Sequence, residues 1–152
     1  MIPIPALDNP AWSALTTEQS AFALGGPMAK RYQPGILPFA AVENPDPEAA
    51  AGLDALLQPG ESFYIIGDPP PLPAGWQVEH ELRCAQLLGP QFLQCLPQPK
   101  ETITPLGENE KTDMFRLIDG IQPGYYLPDT WRLVTTIGSK VKSRTTSLRH
   151  SL

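Results

Sequence analysis

Residues 36–57, ILPFAAVENPDPEAAAGLDALL, predict a β-strand followed directly by an α-helix. The apolar run at 36–42 is typical of a strand. Because Pro38 has no N–H to donate to a ladder, the strand lies at a sheet edge or begins after this residue. Asp46-Pro47 predicts the start of the helix, since a carboxylate cap is followed by a residue that needs no N–H partner. The apolar face of this helix carries Ala49, Leu53, Leu56 and Leu57.

The residues before this strand predict two further helices. Asn9-Pro10 repeats the arrangement of a cap followed by proline. Thr16-Thr17-Glu18-Gln19 has the spacing of a capping box. The second helix is expected to end at Gly25-Gly26 and to carry inward the side chains of Phe22 and Leu24.

Two more strands are predicted after the helix that begins at residue 47. Residues 61–67 form one of them. The connector at 68–73, DPPPLP, is extended and stiff, and it suits a spacer better than a ligand for an SH3-type domain. Residues 76–88 alternate between apolar and polar side chains and give the clearest strand pattern in the chain.

The chemically active side chains near this last strand have plain structural interpretations. Glu79 and Glu81 fall on its polar face, which favours solvated carboxylates over an acid–base pair. His80 shares the face of the apolar residues, which favours a packed, hydrogen-bonded histidine over a general base. Cys84 and Cys95 are interpreted as structural or incidental thiols, because two cysteines make neither a disulfide scaffold nor a four-ligand zinc site.

A second unit is predicted after a linker at 98–100. Residues 101–106 predict a strand, and the acidic stretch at 107–110 suits the first turn of a helix. A turn-rich loop is predicted at 123–129. The helix between them has apolar residues at i, i+3, i+4 and i+7, namely Met114, Leu117, Ile118 and Ile121.

These elements predict an α+β (α/β-like) fold, with a mixed sheet and flanking helices. The expected organisation is an N-terminal α/β region at 1–97, a strand–helix–loop at 98–130 and a basic tail at 131–152 that is disordered. The middle part is expected to be an incomplete unit, because one strand and one helix cannot bury a two-sided core.

Composition excludes several classes of function. The chain has 152 residues, 41% of them apolar, but no apolar run long enough to cross a bilayer. The start, MIPIP, lacks the features of a secretory signal, so a cytoplasmic location is expected. The net charge of −5 argues against nucleic acid as a partner. His80 and His150 are the only histidines, and no metal-ligand spacing or nucleotide-binding motif is present.

The composition changes abruptly after Pro128. All 19 prolines precede that point, and residues 129–152 contain no Pro, Ala, Glu or Gln. Residues 1–128 have 6 Lys and Arg against 15 Asp and Glu, whereas residues 129–152 have 5 basic residues against one acid. The two parts therefore carry net charges of −9 and +4. Such a tail is typical of a solvated terminus or of an arm for an anionic surface.

Several short patterns in the right order give the chain a resemblance to bacterial GNAT-superfamily N-acetyltransferases with a proline-rich N-terminal region. Together they span residues 7–133. In the N-terminal region the patterns are Asp8-Asn9-Pro10-Ala11-Trp12, Pro38-Phe39-Ala40-Ala41-Val42, Leu72-Pro73-Ala74-Gly75-Trp76 and Glu79-His80-Glu81-Leu82. In the second unit they are Ile103-Thr104-Pro105-Leu106, Asp113-Met114 and Pro123-Gly124-Tyr125-Tyr126-Leu127-Pro128-Asp129-Thr130.

The resemblance implies acetyl transfer from acetyl-CoA to an amine acceptor in the intact family. Family members hold the cofactor pyrophosphate on backbone N–H groups at a helix N-terminus, in a turn with the pattern Arg/Gln-x-x-Gly-x-Gly/Ala. That pattern is absent from this chain. We therefore expect no acetyl-CoA bound by this chain, and no catalytic or cofactor-binding residue carries over from the family. Tyr125 and Tyr126 are expected near the acceptor-substrate side.

The resemblance also implies a truncated member of the family and suggests an origin for the tail. Relatives continue after the Pro-Asp-Thr with a sequence close to Leu-Gly-Asp-Tyr-Tyr, and loss of one G from a run of G would change this to Leu133-Val134-Thr135-Thr136-Ile137. Exposed strand edges are then expected to favour self-association. Two alternatives remain: a small binding or regulatory module with a basic docking arm, and completion of the domain by a second chain.

Overall fold

The structure is a computed structural model that describes residues 5–86, 102–133 and 135–138. Its α-helices are α1 (Pro5–Asp8), α2 (Pro10–Thr16), α3 (Pro47–Asp54) and α4 (Lys111–Asp119). Its strands are β1 (Ala23–Gly25), β2 (Ala29–Tyr32), β3 (Phe39–Val42), β4 (Tyr64–Ile65), β5 (Thr104–Leu106) and β6 (Thr136–Gly138). Short 3-10 turns occupy Ser20–Phe22, Glu108–Glu110 and Thr130–Arg132. The predicted α+β class is confirmed.

Four strands form a mixed sheet in the order β1-β2-β3-β4. The first two pairings are antiparallel, and β3 pairs in parallel with β4, Phe39 opposite Tyr64. A parallel pair needs a crossover connection, which α3 supplies here. β5 and β6 form a separate antiparallel pair.

The sheet has apolar clusters on both faces because side chains alternate along each strand. On one face Leu15 of α2 packs with a cluster that includes Ala41 of β3. On the other face Leu53 of α3 packs with a cluster that includes Ala40 and Val42. Of the two alternatives that Pro38 left open, the structure shows that the strand begins after this residue. The strand lies inside the sheet, between β2 and β4, with helices on both faces.

Both predicted helix caps are confirmed. The Asp46 side chain accepts a hydrogen bond from the Ala49 N–H at 2.8 Å, and Pro47 opens α3. Asn9 accepts from the Trp12 N–H at 3.4 Å, and its Nδ2 donates to the Val42 carbonyl at 2.8 Å. Asn9 therefore caps α2 and also fixes this helix to the end of β3.

The helix predicted from the capping box at Thr16 is wrong. Thr16 is the last residue of α2, and its hydroxyl donates back to the Trp12 carbonyl, an alternative that threonine offers the backbone at a helix end. A 3-10 turn and β1 follow instead, and Leu24 lies exposed in β1 rather than inside the fold. β1 ends at Gly25, where the backbone has a φ of +118° that residues with a side chain rarely adopt. An added Cβ would also lie 2.3 Å from the Ala29 carbonyl oxygen, so this position requires glycine.

The strand predicted at 76–88 is also wrong over its described part. Residues 76–86 form no strand, and Val78 and Leu82 are each 65% exposed. His80 is exposed too, so the expectation of a packed histidine is wrong. An alternating pattern makes a strand only where a neighbour supplies ladder hydrogen bonds, and the described residues supply none here. The strand predicted at 61–67 is confirmed only as β4.

The strand and the helix expected after the linker are both present. They are β5 and α4, but only Met114 of the expected apolar face is buried, whereas Leu117 and Ile121 are 68% and 79% exposed. Part of the predicted tail, Thr136–Gly138, pairs with β5, so the expectation of disorder is wrong for this strand. Cys84 is an exposed free thiol, and Cys95, His150 and the linker at 98–100 lie outside the described residues.

Arg31 of β2 is a charged residue inside the fold, only 6% exposed. Its Nη1 donates to the Leu56 carbonyl at 3.0 Å and to Glu61 Oε2 at 2.8 Å, and its Nη2 donates to Glu61 Oε1. The bidentate pair holds the segment that leads into β4, three residues before its first residue, against β2. The hydrogen bonds from Arg31 are the main reason that the pKa of Glu61 lies below its ordinary value.

Replacing Glu61 by Gln is expected to lower the free energy of unfolding at neutral pH by about 3 kcal/mol, because it leaves Arg31 buried without its counter-ion. The lowered pKa means that the contribution of Glu61 is fully present above the ordinary carboxyl value of 4.5 and is lost as the pH falls through the folded-state pKa. Urea unfolding of both proteins across this range is expected to show the difference shrinking in acid. Glu18→Gln, at an exposed site, is the control. A loss of unfolding free energy that stays the same across the pH range would contradict the assignment of Glu61 as the counter-ion of Arg31.

Candidate functional site

The end of the loop at 123–129 docks on the connection between β2 and β3 through two hydrogen bonds, and a third hydrogen bond closes the loop itself. The Asp129 N–H donates to the Gly35 carbonyl at 3.1 Å. The Thr130 hydroxyl donates to the Ile36 carbonyl and accepts from the Leu127 N–H at 2.8 Å. This docking carries the loop, with Tyr125, to the end of the sheet where β3 begins.

Tyr125 joins Phe39 of β3 and Tyr64 of β4, and we call these three residues the aromatic cluster. Tyr125 stacks on Tyr64 with ring centroids 4.6 Å apart and planes 23° from parallel. Phe39 meets Tyr64 edge-on at 5.9 Å and Tyr125 at 6.4 Å. All three side chains are partly buried, so some ring surface stays accessible to solvent.

A carboxylate contacts the segment that leads into β4. Glu79 accepts hydrogen bonds from the Ser62 hydroxyl, with oxygen–oxygen distances of 3.4 and 3.5 Å. Hydrogen bonding to Tyr125 raises the pKa of Tyr64, and burial, the charge of Tyr125 and the charge of Glu79 act in the same direction.

Tyr126 has a different environment from its neighbour in sequence. Its hydroxyl contacts the sulfur of Met114 in α4 at 3.8 Å, and burial raises its pKa. The two tyrosines expected together on the acceptor-substrate side thus point to different elements. Tyr125 lies in the aromatic cluster, while Tyr126 fastens the loop to α4.

The two longer helices that follow a strand do not fit a bound pyrophosphate. In α3 the Asp46 carboxylate already accepts from an N–H of the first turn, and Glu48 adds a second negative charge. The residues that lead into α4 include Glu108 and Glu110, and the Glu110 carboxylate accepts from the Gly107 N–H at 3.1 Å. Helix N-termini attract anions, but acidic side chains hold both of these positions.

A small cavity of about 90 Å³ lies where β3 and β4 diverge. Asp8 and Asp68 line it together with apolar residues such as Val42 and Ile65. It is far smaller than the several hundred Å³ of a typical pocket for a drug-sized ligand. Its two carboxylates also disfavour a phosphate-bearing molecule.

The described residues contain no group of His, Cys, Asp and Glu side chains arranged to hold a metal ion. Within the same ranges, none of the helices has the length and apolar character required to span a bilayer.

No protein-family model and no curated protein matches this chain. Among solved structures, a candidate acetyltransferase from the GNAT family of Novosphingobium aromaticivorans DSM 12444 superimposes with a TM-score of 0.61 and 26% sequence identity. The chain resembles a GNAT-family acetyltransferase. The match covers 91% of this chain, which agrees with the resemblance found in the sequence, but only 61% of the neighbour.

Sequence reasoning found Tyr125 but missed its partners. Phe39 and Tyr64 were assigned to strands and to no site, yet their parallel pairing places both rings beside the docked loop. The available signal was positional, since each aromatic residue stands at the beginning of its strand. Glu79 was interpreted as a solvated carboxylate, which its exposure supports, but its contact with Ser62 depended on chain placement that no local pattern specifies.

Replacing Thr130 by Val is expected to release the loop. The change keeps the shape of the side chain but leaves the Leu127 N–H and the Ile36 carbonyl without the hydroxyl, at a cost of about 1–3 kcal/mol in the free energy of unfolding. Near-ultraviolet circular dichroism is expected to weaken as the tyrosine stack loosens. Thr135→Val, at an exposed position, is the matched control. An unchanged spectrum would show that the loop is held by other contacts.

Proposed function

We propose that this chain forms part of a GNAT-type acetyltransferase and does not itself bind acetyl-CoA or transfer an acetyl group. The observation that carries the proposal is that acidic side chains lie at the N-termini of α3 and α4, where a pyrophosphate would have to bind. The sequence supports it, because no Arg/Gln-x-x-Gly-x-Gly/Ala turn is present.

Acidic side chains at the start of α3 oppose a bound anion electrostatically. A charge at the first turn of a helix interacts with the macrodipole by roughly 0.3–1 kcal/mol, favourably when it is negative. Asp46 and Glu48 already supply that charge in α3, so a pyrophosphate would have to displace or oppose them. The same residues that stabilise the helix therefore exclude the cofactor from it.

The acetyltransferase character comes from the structural neighbour and from the resemblance in sequence. This chain spans 61% of the neighbour, so acetyl-CoA and an amine acceptor belong to the proposed whole protein rather than to the described residues. In this proposal the chain supplies the sheet and the Tyr125 loop on the acceptor side. The catalytic part is contributed by further polypeptide, in the same chain or in a second one.

Isothermal titration of the full chain with acetyl-CoA is expected to show no saturable binding at micromolar concentrations, and incubation with a simple alkylamine is expected to give no acetylated product. The acidic helix start predicts a further result. The double variant Asp46→Asn and Glu48→Gln is expected to bind inorganic pyrophosphate roughly fivefold more tightly than the wild type.

Glu18→Gln, which removes an exposed carboxylate away from α3, is the control for general charge effects and is expected to leave this affinity unchanged. Saturable acetyl-CoA binding by the wild type would overturn the proposal. An equal increase in pyrophosphate affinity in the Glu18→Gln control and in the double variant would refute the electrostatic explanation.

The charge division of the chain favours a second candidate, a binding or regulatory module whose basic arm docks on an acidic partner. Binding to an acidic polymer that weakens with salt and disappears when residues 139–152 are deleted is the result expected of such an arm. Unchanged binding after that deletion would exclude it.

A further inference from the structure

Residues 76–86 have the side-chain pattern of a β-strand, but the described part of the chain supplies no strand that pairs with them. We call these residues the unpaired segment. We propose that it is an interaction surface, which pairs with the unpaired segment of a second copy of this chain to form an antiparallel β-ribbon. This interface goes beyond the proposed function and does not rest on it.

The unpaired segment is held at both ends. At its start, the Trp76 Nε1 donates to the Asp54 carboxylate at 2.7 Å, and the Trp76 ring meets Phe63 edge-on with centroids 5.2 Å apart. At its end, the Gln86 Nε2 donates to the Leu7 carbonyl at 2.9 Å. Between these anchors the backbone forms no helix, turn or bend. Because its ends are already fixed, the segment loses less conformational freedom on pairing than a free chain would.

The backbone of the segment has hydrogen-bonding groups to offer. Within 5–86, 102–133 and 135–138, no backbone–backbone hydrogen bond involves residues 77–86. None of these residues is proline, so each carries an N–H donor and a carbonyl acceptor. A row of unused backbone groups along an extended segment is a template for another strand. The ladder of a ribbon therefore finds donors and acceptors in both copies.

The side chains of the segment suit a ribbon with one apolar face and one charged face. Val78 and Leu82 share a face in an extended chain, and each is 65% exposed. The opposite face carries Glu79, Glu81 and Arg83, which are also exposed. None of these three has an ion-pair partner among the residues that the structure describes. Pairing of two copies brings the apolar side chains together and gives the charges partners.

Charge complementarity selects the register of the ribbon. A two-fold axis relates the copies in a closed dimer, so the two segments run antiparallel. With Leu82 opposite itself, Arg83 of each copy lies opposite Glu81 of the other, which gives two favourable cross-strand pairs. Registers centred on any residue from 79 to 81, or on Arg83, instead place like charges opposite each other and are destabilised. The favoured ribbon spans residues 78–86 of each copy.

The dimer is expected to be weak. A contact made by nine residues of each copy lies at the lower end of the size range of specific interfaces. A two-stranded ribbon alone is also only marginally stable in water, although here the anchors at Trp76 and Gln86 connect each strand to its own fold. We therefore expect a dissociation constant in the upper micromolar range.

Sedimentation equilibrium of the full chain, from micromolar to millimolar concentrations, tests the proposal. We expect a reversible monomer–dimer equilibrium. Hydrogen exchange measured over the same concentrations locates the contact, because amides that enter a ladder exchange more slowly. The amides of residues 78–86 are expected to gain protection as the dimer forms.

Charge reversals test the register. Glu81→Arg and Arg83→Glu are each expected to weaken the dimer roughly tenfold, since each variant places like charges opposite at both pairs. The two changes combined restore opposite charges and are expected to return the dissociation constant to within about twofold of the wild type. Glu18→Arg makes the same change in net charge as Glu81→Arg at another exposed site, and it is expected to leave the dimer unchanged.

A chain that stays monomeric at all concentrations would overturn the proposal and leave the segment to a different polypeptide. A dimer that resists both single reversals, or that leaves the exchange of residues 78–86 unchanged, would place the contact elsewhere and also overturn it. So would a dimer that is lost when residues 139–152 are deleted, since the basic tail would then be the partner. Titration with acetyl-CoA measures a different property, so failure of the proposed function is distinguished from failure of this interface.

Discussion

The buried pair of Arg31 and Glu61 is the constraint on which the rest of the N-terminal sheet depends. Arg31 stands in β2, and Glu61 lies just before β4, so their bidentate contact fixes the return of the chain from α3. That return sets the parallel register of β4 on β3, with Phe39 opposite Tyr64. The aromatic cluster exists only in this register, because a shift by one residue would turn Tyr64 to the other face.

Local sequence signals predicted the parts of the fold that local chemistry controls. Asn9 and Asp46 were identified as caps because a short polar side chain satisfies an N–H that has no partner within the helix, whatever lies around it. The buried residues Ala49 and Leu53 of α3 were predicted because its apolar residues recur at helical spacing, although Leu56 and Leu57 of the predicted face lie beyond the end of the helix at Asp54. These features need no knowledge of distant residues, and the structure confirms them.

The sequence predictions were wrong where the local structure depends on pairing with residues that are distant in the sequence. Residues 76–86 alternate as a strand does, but β4 has only two residues and the described chain offers no further partner for a ladder. Thr16 has the spacing of a cap, yet β1 forms because β2 is available to pair with Ala23. For the same reason the contacts of the loop could not be predicted: Tyr125 was named from the resemblance, whereas its stacking on Tyr64 depends on contacts between distant segments that no sequence period encodes.

The helix starts show how one local rule serves either stability or cofactor binding, but not both at the same position. A carboxylate at the first turn and a pyrophosphate at that turn use the same N–H groups and the same end of the macrodipole. In α3 the chain has placed Asp46 and Glu48 there, and the resulting cap anchors the crossover that makes β3 and β4 parallel. Under the proposed function, a GNAT-like sheet is retained without phosphate binding at α3, because the residues that oppose the anion also hold the crossover in place. By contrast, no α-helix of the described residues starts at the other end of β3, where the rings of Phe39, Tyr64 and Tyr125 pack against one another and join the docked loop to the sheet.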